Sequence, residues 1–559
     1  MSGTTRTTAP DAGRRAGEGR EREPAGGNVL AGTGILFRFA LRRDRVRLPV
    51  WVLALFLFTL TAANNFKTKY GDAGNRADIA KTLDSPAGRA MTGPERYLQG
   101  GYDYGAMLSH QMIAYMAIMV ALMSVLAVAR HTRTEEETGR AELVRAGVVG
   151  RHASLTAALG VAALANVVLA LLIAVTLPGL DMEGIDSRGA LVYAAAQAAV
   201  GLFFAGVAAV TVQITAYARA ATGMAFAVLG AAFALRAAGD VGTDALAWLS
   251  PIGWAQRAYP FVDDRWWPVL LTFVCAVALG AAGYVLSTRR DVGAGLRPPR
   301  RGSARATPFL ASPLGLALRL HRGLLAGFSG GLLLLGAMYG SLLSDVEDLV
   351  KDLGEVKEAI EKMGGSITDS FAATIMVVLA VVSSVYVVMA ALRPRAEETA
   401  GRAEPLLATA LSRTRWTGSH FVLAVVGGTC VMLVGGLGIG VAGAASTGEA
   451  DMLPRLLGAA LAYAPALWVT GGLAALLYGW APKAAPAVWI VPVYGFATGY
   501  LGQLFDFPGW MKNLSPFGHV PQLPADGMNW TPELLLTLVA AALFAAGAAG
   551  FRRRDLETK

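Results

Sequence analysis

The most distinctive charged chemistry in the 559-residue chain lies in one stretch that occurs twice. Arg133 to Arg151 reads RTEEETGRAELVRAGVVGR, and 262 residues later Arg395 to Arg413 reads RAEETAGRAEPLLATALSR. Aligned without a gap, the copies share Arg133/Arg395, Glu135/Glu397, Glu136/Glu398, Gly139/Gly401, Arg140/Arg402, Glu142/Glu404 and Arg151/Arg413. The chemistry open to these side chains is ionic recognition, an acidic face meeting a basic groove on another molecule. Thr134 and Glu137 have the spacing of a capping box, so the segment is expected to be a helix with Glu135, Glu136 and Arg140 on an exposed surface. Its second copy carries Pro405 where the first has Leu143, and that helix is expected to be shorter or kinked.

Other chemistry is missing or isolated. No Gly-Lys pair occurs anywhere, so no phosphate-cradling G-x-x-x-x-G-K-[ST] loop is present. The histidines His110, His131, His152, His321, His420 and His519 are scattered along the chain, and neither a close His pair nor a metal site is expected from their spacing. Cys275 and Cys430 fall in apolar runs and read as packing residues. Arg236, four residues before Asp240, reads as a snorkelling ion pair near the end of a span. Met112, Met116, Met119 and Met123, with Tyr115 beside them, put a soft, polarizable stripe on one helical face. Their counterparts at the repeat offset are Thr374, Val378, Val381 and Val385. Together these residues are the expected walls of a pathway for a bulky apolar or amphiphilic substrate.

The elements that must position these groups are membrane helices. Hydrophobic residues make up 54% of the chain, charge only 16%, and mean hydropathy is +0.47, which excludes an ordinary soluble protein. A span needs roughly 20 apolar residues, and twelve segments qualify: about 48–66, 108–129, 154–177, 189–214, 221–239 and 268–286, then about 323–343, 371–392, 419–443, 454–478, 484–503 and 532–550. The expected fold is an all-α integral membrane protein with twelve transmembrane helices as two fused six-helix permease repeats.

Residues 1–32 read as a disordered cytoplasmic arm without the apolar core of a signal peptide. The first repeat is expected over 33–290, a cytoplasmic linker over 291–315 and the second repeat over 316–559. Gly34 to Arg47 reads as a short amphipathic helix on the headgroups. The LSPIGW run at Leu249 and the LSPFG run at Leu514 are apolar but too short to cross. Asp345 to Met363 reads as an amphipathic outer helix that caps or gates the exit. With both termini inside, roughly 34 Lys and Arg fall on the cytoplasmic side and about 14 outside. That places the protein as a multi-pass component of a bacterial cytoplasmic membrane. The basic charge follows membrane topology, and nucleic acid is not an expected partner.

The six-span unit, the duplicated Glu-Glu-x-x-Gly-Arg-Ala-Glu segment between spans two and three, and the broken LSP run before span six resemble the permease half of type-two ABC exporters. The fused double copy more narrowly resembles exporters of polyketide antibiotics of the tetronasin-resistance type. That resemblance implies that Glu135, Glu136, Gly139, Arg140 and Glu142, with Glu397, Glu398, Gly401, Arg402 and Glu404, form coupling helices resting on an ABC ATPase subunit. It implies two copies of that partner, with ATP and Mg on the partner and no cofactor, metal or catalytic residue in this chain. The alternatives are a proton-driven twelve-span drug antiporter, disfavoured because no span carries an interior carboxylate, and a membrane scaffold or sensor without transport.

Overall fold

Apolar side chains in runs of twenty or more leave the backbone one way to satisfy its own polar groups in hydrocarbon, the α-helix. The computed structural model describes residues 28–555, apart from 85, 146, 292, 299–303, 345–365 and 502–508. Among the described residues the regular structure is helical, and eleven helices are long and apolar enough to cross a membrane. The chain divides into two compact units, Met1–Arg300 and Arg301–Lys559. The expected outer helix lies outside the described residues.

In the first unit, α1 (Thr33–Arg43) leads through a turn at Asp44 into the first candidate span, α2 (Arg47–Lys69). The turn is held by charge: Asp44 meets Arg130 at 3.1 Å and His131 at 2.6 Å. Next come α3 (Tyr104–His131), α4 (Arg133–Glu137) and α5 (Arg140–Arg145). The spans α6 (Ala153–Thr176), α7 (Ser187–Ile214) and α8 (Ala218–Val241) follow. A short buried helix, α9 (Pro251–Gln256), and the span α10 (Trp267–Ser287) close the unit. The core is built on α3 and α7, whose Ala, Gly and Val faces are buried on most sides. The linker does not hang free at its start, since the N–H groups of Leu296 and Arg297 donate to the carbonyls of Gln213 and Ile214 at 2.9 Å.

The second unit begins with α11 (Pro313–Gly340), which runs unbroken where the first unit turns at Asp44. It continues with α12 (Ile367–Ala391), α13 (Arg393–Thr399), α14 (Ala403–Leu407) and the 35-residue α15 (Arg413–Thr447). The apolar helices α16 (Met452–Ala462) and α17 (Ala464–Trp480) and the last span α18 (Trp530–Arg553) complete it. In lipid there is no hydrophobic drive between helices, so close backbone approach supplies the packing. Helices α11 and α15 use it: a Cβ added to Gly336 would lie 2.3 Å from the carbonyl oxygen of Gly435.

Span eleven, expected over about 484–503 from its apolar content, is not a single helix. A 3-10 turn (Ala485–Trp489), a seven-residue helix (Ile490–Phe496) and a π turn (Ala497–Leu501) replace it. Pro482, Pro486 and Pro492 each remove a backbone donor and crowd the preceding turn, which hydropathy does not register. The LSP runs are short, as expected. Ser250 caps α9 by accepting from the N–H of Ile252 and Gly253, and Pro516–His519 is one 3-10 turn.

Candidate functional site

The repeated acidic stretch does not form the single capped helix expected from its spacing. In the first unit the chain leaves α3 through Thr132 into α4, breaks at Gly139 with φ +73°, and resumes as α5. In the second it breaks in the same place, at Gly401 with φ +69°, between α13 and α14. This left-handed conformation costs a side-chain-bearing residue roughly 1–2 kcal/mol, which accounts for glycine in both copies. The capping box is not made. Thr134 donates instead to the carbonyl of Ala129 at 3.2 Å, and the Glu137 carboxylate accepts from the N–H of Ala218 at 2.8 Å, capping α8. Pro405 produces no kink, because it sits in the first turn of α14, where backbone N–H groups have no intrahelical partner to lose.

The acidic side chains turn inward. Glu136 is gripped by both nitrogens of the Arg290 guanidinium, at 2.7 and 2.8 Å, and by Arg133, which is fully buried. Arg133 also donates to the carbonyl of Gly293 at 3.2 Å. Glu398 is held in the same way by Arg554, at 2.6 and 2.8 Å, and accepts from the Tyr478 hydroxyl at 2.6 Å. The Arg554 guanidinium also lies 4.8 Å over the Tyr478 ring. Both glutamates were expected on an exposed surface; their side chains retain 9% and 5% exposure. The arginines that hold them belong to a further run that recurs in the sequence, Arg-Arg-Asp at Arg289–Asp291 and again at Arg553–Asp555. Arg151 and Arg413 strengthen the same junction, donating to the carbonyls of Thr288 at 2.5 Å and Arg554 at 3.1 Å.

Glu135 and Glu397 are also paired. Glu135 contacts Arg43 and lies 4.0 Å from Arg140, while Glu397 meets Arg393 at 2.7 Å and Arg402 at 2.6 Å. What remains exposed is the far side of each glycine turn: Gly139, Arg140 and Glu142 in one unit, and Gly401, Arg402 and Glu404 in the other. Leu143 adds an apolar contact at 80% exposure. The buried pairs fix these exposed tips to the C-terminal ends of α10 and α18.

The remaining expected positions divide. Met116 and Met123 are buried in the first unit's core, Met112 and Tyr115 are partly buried, and Met119 is exposed. Thr59 donates to the Met116 sulfur at 3.7 Å, and Met123 lines a cavity of about 550 Å³ with Trp51 and Arg47. In the second unit Val381 is buried and Thr374, Val378 and Val385 are partly so, with Val377 beside them lining a cavity of about 630 Å³.

Arg236 does not snorkel. It is fully buried, 3.2 Å from Asp240, which Arg257 also reaches at 3.0 Å. Burial works against the Arg257 charge, but hydrogen bonding to Asp244 and the charges of Asp240 and Asp244 outweigh it and raise its pKa. The hydrogen bond from Arg96 holds the Asp263 carboxyl below its ordinary range, with Arg265 adding to it against burial.

Two further positions depart from expectation. His321 and His420 form a close pair, ring nitrogens 3.0 Å apart and both buried, across a sequence separation that spacing cannot bridge. Cys430 is exposed rather than packed. Sequence reading also passed over Glu533, which sits at the very start of a drawn span; it is buried, and among the described residues neither carboxylate oxygen has a hydrogen-bond partner.

Residues 36–286 and 310–552 match the family described as multidrug efflux system permease Rv1217c, C-terminal domain. The chain belongs to that family. It is also 39% identical, over the full length of both chains, to the multidrug efflux system permease protein Rv1217c of Mycobacterium tuberculosis. Membership identifies a membrane transporter permease and agrees with the helix content.

Proposed function

We propose that the chain is the transmembrane permease subunit of an ATP-driven ABC exporter, energised by two copies of a separate ATPase subunit that carries the ATP and Mg. Its cargo is bulky apolar or amphiphilic, of the polyketide-antibiotic kind, and both termini face the cytoplasm. The relative's role in multidrug efflux supports export of such compounds. The observation that carries the coupling reading is the pair of exposed glycine turns, each braced from behind by a buried bidentate ion pair.

The brace gives the docking surface a mechanical purpose. Load applied at Arg140 and Glu142 reaches α3 through the chain and α10 through Glu136 and Arg290. Load at Arg402 and Glu404 reaches α12 through the chain and α18 through Glu398 and Arg554. One closing motion of a partner is thereby delivered to two helices of a unit together. Co-expression with the partner ATPase, followed by nucleotide-dependent uptake into inverted vesicles, tests the reading; uptake without nucleotide overturns it.

A proton-driven antiporter is the second reading. Glu533 favours it, because an unpaired buried carboxylate is the type of group proton-coupled carriers use as a relay.

A further inference from the structure

Helix α18 starts at Trp530, with Asn529 accepting from the N–H of Thr531 as its cap. Glu533 falls in its first turn, where the helix N-terminus favours an anion. Only 5% of the residue is exposed, and both carboxylate oxygens are shut off from solvent without accepting a hydrogen bond. Holding such a charge unpaired costs several kcal/mol, a cost that a cation bound beside it would offset.

Glu533 forms part of the wall of a cavity of about 690 Å³, within the second unit, between α16, α17, α18 and the segment around Met528. That volume lies in the range of sites for drug-sized ligands, roughly 300–1,000 Å³. Most of the wall is apolar: Pro465, Trp468, Met528, Trp530 and Leu534 line it. Two indole rings on the wall suit a cation, which is attracted to the face of an aromatic ring. Arg455, also at the wall, is neutralised by Asp369 at 2.6 Å and lies 4.0 Å from Asp451, so the uncompensated charge is negative. The cavity opens beside Leu461 and Leu534, both more than half exposed, which gives a ligand dissolved in the hydrocarbon a way in.

We propose that this cavity is a binding subsite for lipophilic aromatic monocations, with Glu533 supplying the counter-charge and Trp468 and Trp530 the aromatic walls. The inference rests on the efflux-permease reading for its purpose, but its test requires neither a partner nor an energy source.

The full chain in phosphatidylglycerol nanodiscs, which contain no ammonium headgroup, is titrated with tetraphenylphosphonium and, separately, with neutral tetraphenylsilane. Glu533→Gln is expected to weaken tetraphenylphosphonium binding at least tenfold while leaving binding of the neutral probe within twofold. Gly458→Phe is expected to abolish binding of both, since Gly458 lines the cavity and a side chain there meets open space. Neither variant should lower the thermal midpoint, because one is nearly isosteric and the Cβ of the other meets nothing within 4 Å and points its ring into the cavity space. Tetraphenylphosphonium binding equal in wild type and Glu533→Gln, the result if lipid fills the cavity, overturns the proposal. So does equal weakening of the charged and neutral probes by Glu533→Gln. Failure of this binding test leaves export of other compounds standing, and failure of export in cells leaves the subsite standing.

Discussion

Replacing Arg554 with Gln should destabilise the second unit far more than a surface change would. The substitution strands the Glu398 carboxylate, which is almost fully buried and now bound bidentately. Breaking a buried pair from one side costs about 3–5 kcal/mol. At about 2–4 °C per kcal/mol for a unit of this size, the thermal midpoint should fall by about 6–20 °C. Glu398 keeps the Tyr478 hydroxyl, so the lower half of that range is expected. Arg290→Gln should cost less than Arg554→Gln, because Glu136 retains the buried Arg133 guanidinium. The double variant Glu398→Leu/Arg554→Met removes both charges and should recover most of the loss, since apolar replacement of a buried pair is often neutral. Thermal unfolding in detergent, read by tryptophan emission, measures all four proteins. Wild-type midpoints for the single variants, or additive losses in the double variant, would refute the internal brace and return Glu398 to an exposed, partner-facing role.

Four further outcomes follow from the same geometry. Arg140→Glu should leave stability within about 0.5 kcal/mol of wild type, as for other surface changes, and reduce partner ATP hydrolysis at least fivefold, measured at matched permease content. Gly401→Ala should cost about 1 kcal/mol or more from its left-handed backbone, read as a lower midpoint with no steric clash to explain it. Met116→Trp should destabilise by about 1–3 kcal/mol through overpacking, whereas Met119→Trp, on an exposed position, should fold normally and report on the pathway by loss of efflux. Asp263→Asn should lower the midpoint at pH 7, with an effect that shrinks as the pH is taken below the ordinary carboxylate range. The Asp263 pKa is depressed in the fold by Arg96, so its contribution is present above the ordinary carboxylate range and lost as pH falls through the folded value.

Much of the architecture was legible because membrane helices announce themselves by length and apolar content. The boundaries at Ala153–Thr176 and Ser187–Ile214 fall close to the runs read from hydropathy. Over its described residues span eleven is not one regular α-helix, because Pro486 and Pro492, which a hydropathy average counts simply as apolar, alter its winding. The site was half legible. Both repeated runs, around Glu136 and around Arg290, stood out by recurrence, yet nothing local says that they touch. They lie 154 residues apart in one unit and 156 in the other. A charged run read in isolation looks solvated; only the fold shows that Glu135, Glu136, Glu397 and Glu398 are consumed internally while Arg140, Glu142, Arg402 and Glu404 face outward. His321 and His420 escaped for the same reason, being 99 residues apart on helices that pack closely. Glu533 was hidden differently. At the edge of an apolar run it resembles an interfacial residue, and only the fold shows that it is buried.

The central claim, that ATP hydrolysed by a separate subunit drives this permease, is tested most directly by uptake of a fluorescent lipophilic compound into inverted vesicles containing both subunits, with the pH gradient collapsed by a protonophore. The account predicts that uptake continues while ATP is supplied and stops when the partner's ATP hydrolysis is blocked. Uptake that ceases with the proton gradient and is indifferent to ATP would contradict it, and would move Glu533 from a counter-charge for cargo to the proton relay of an antiporter.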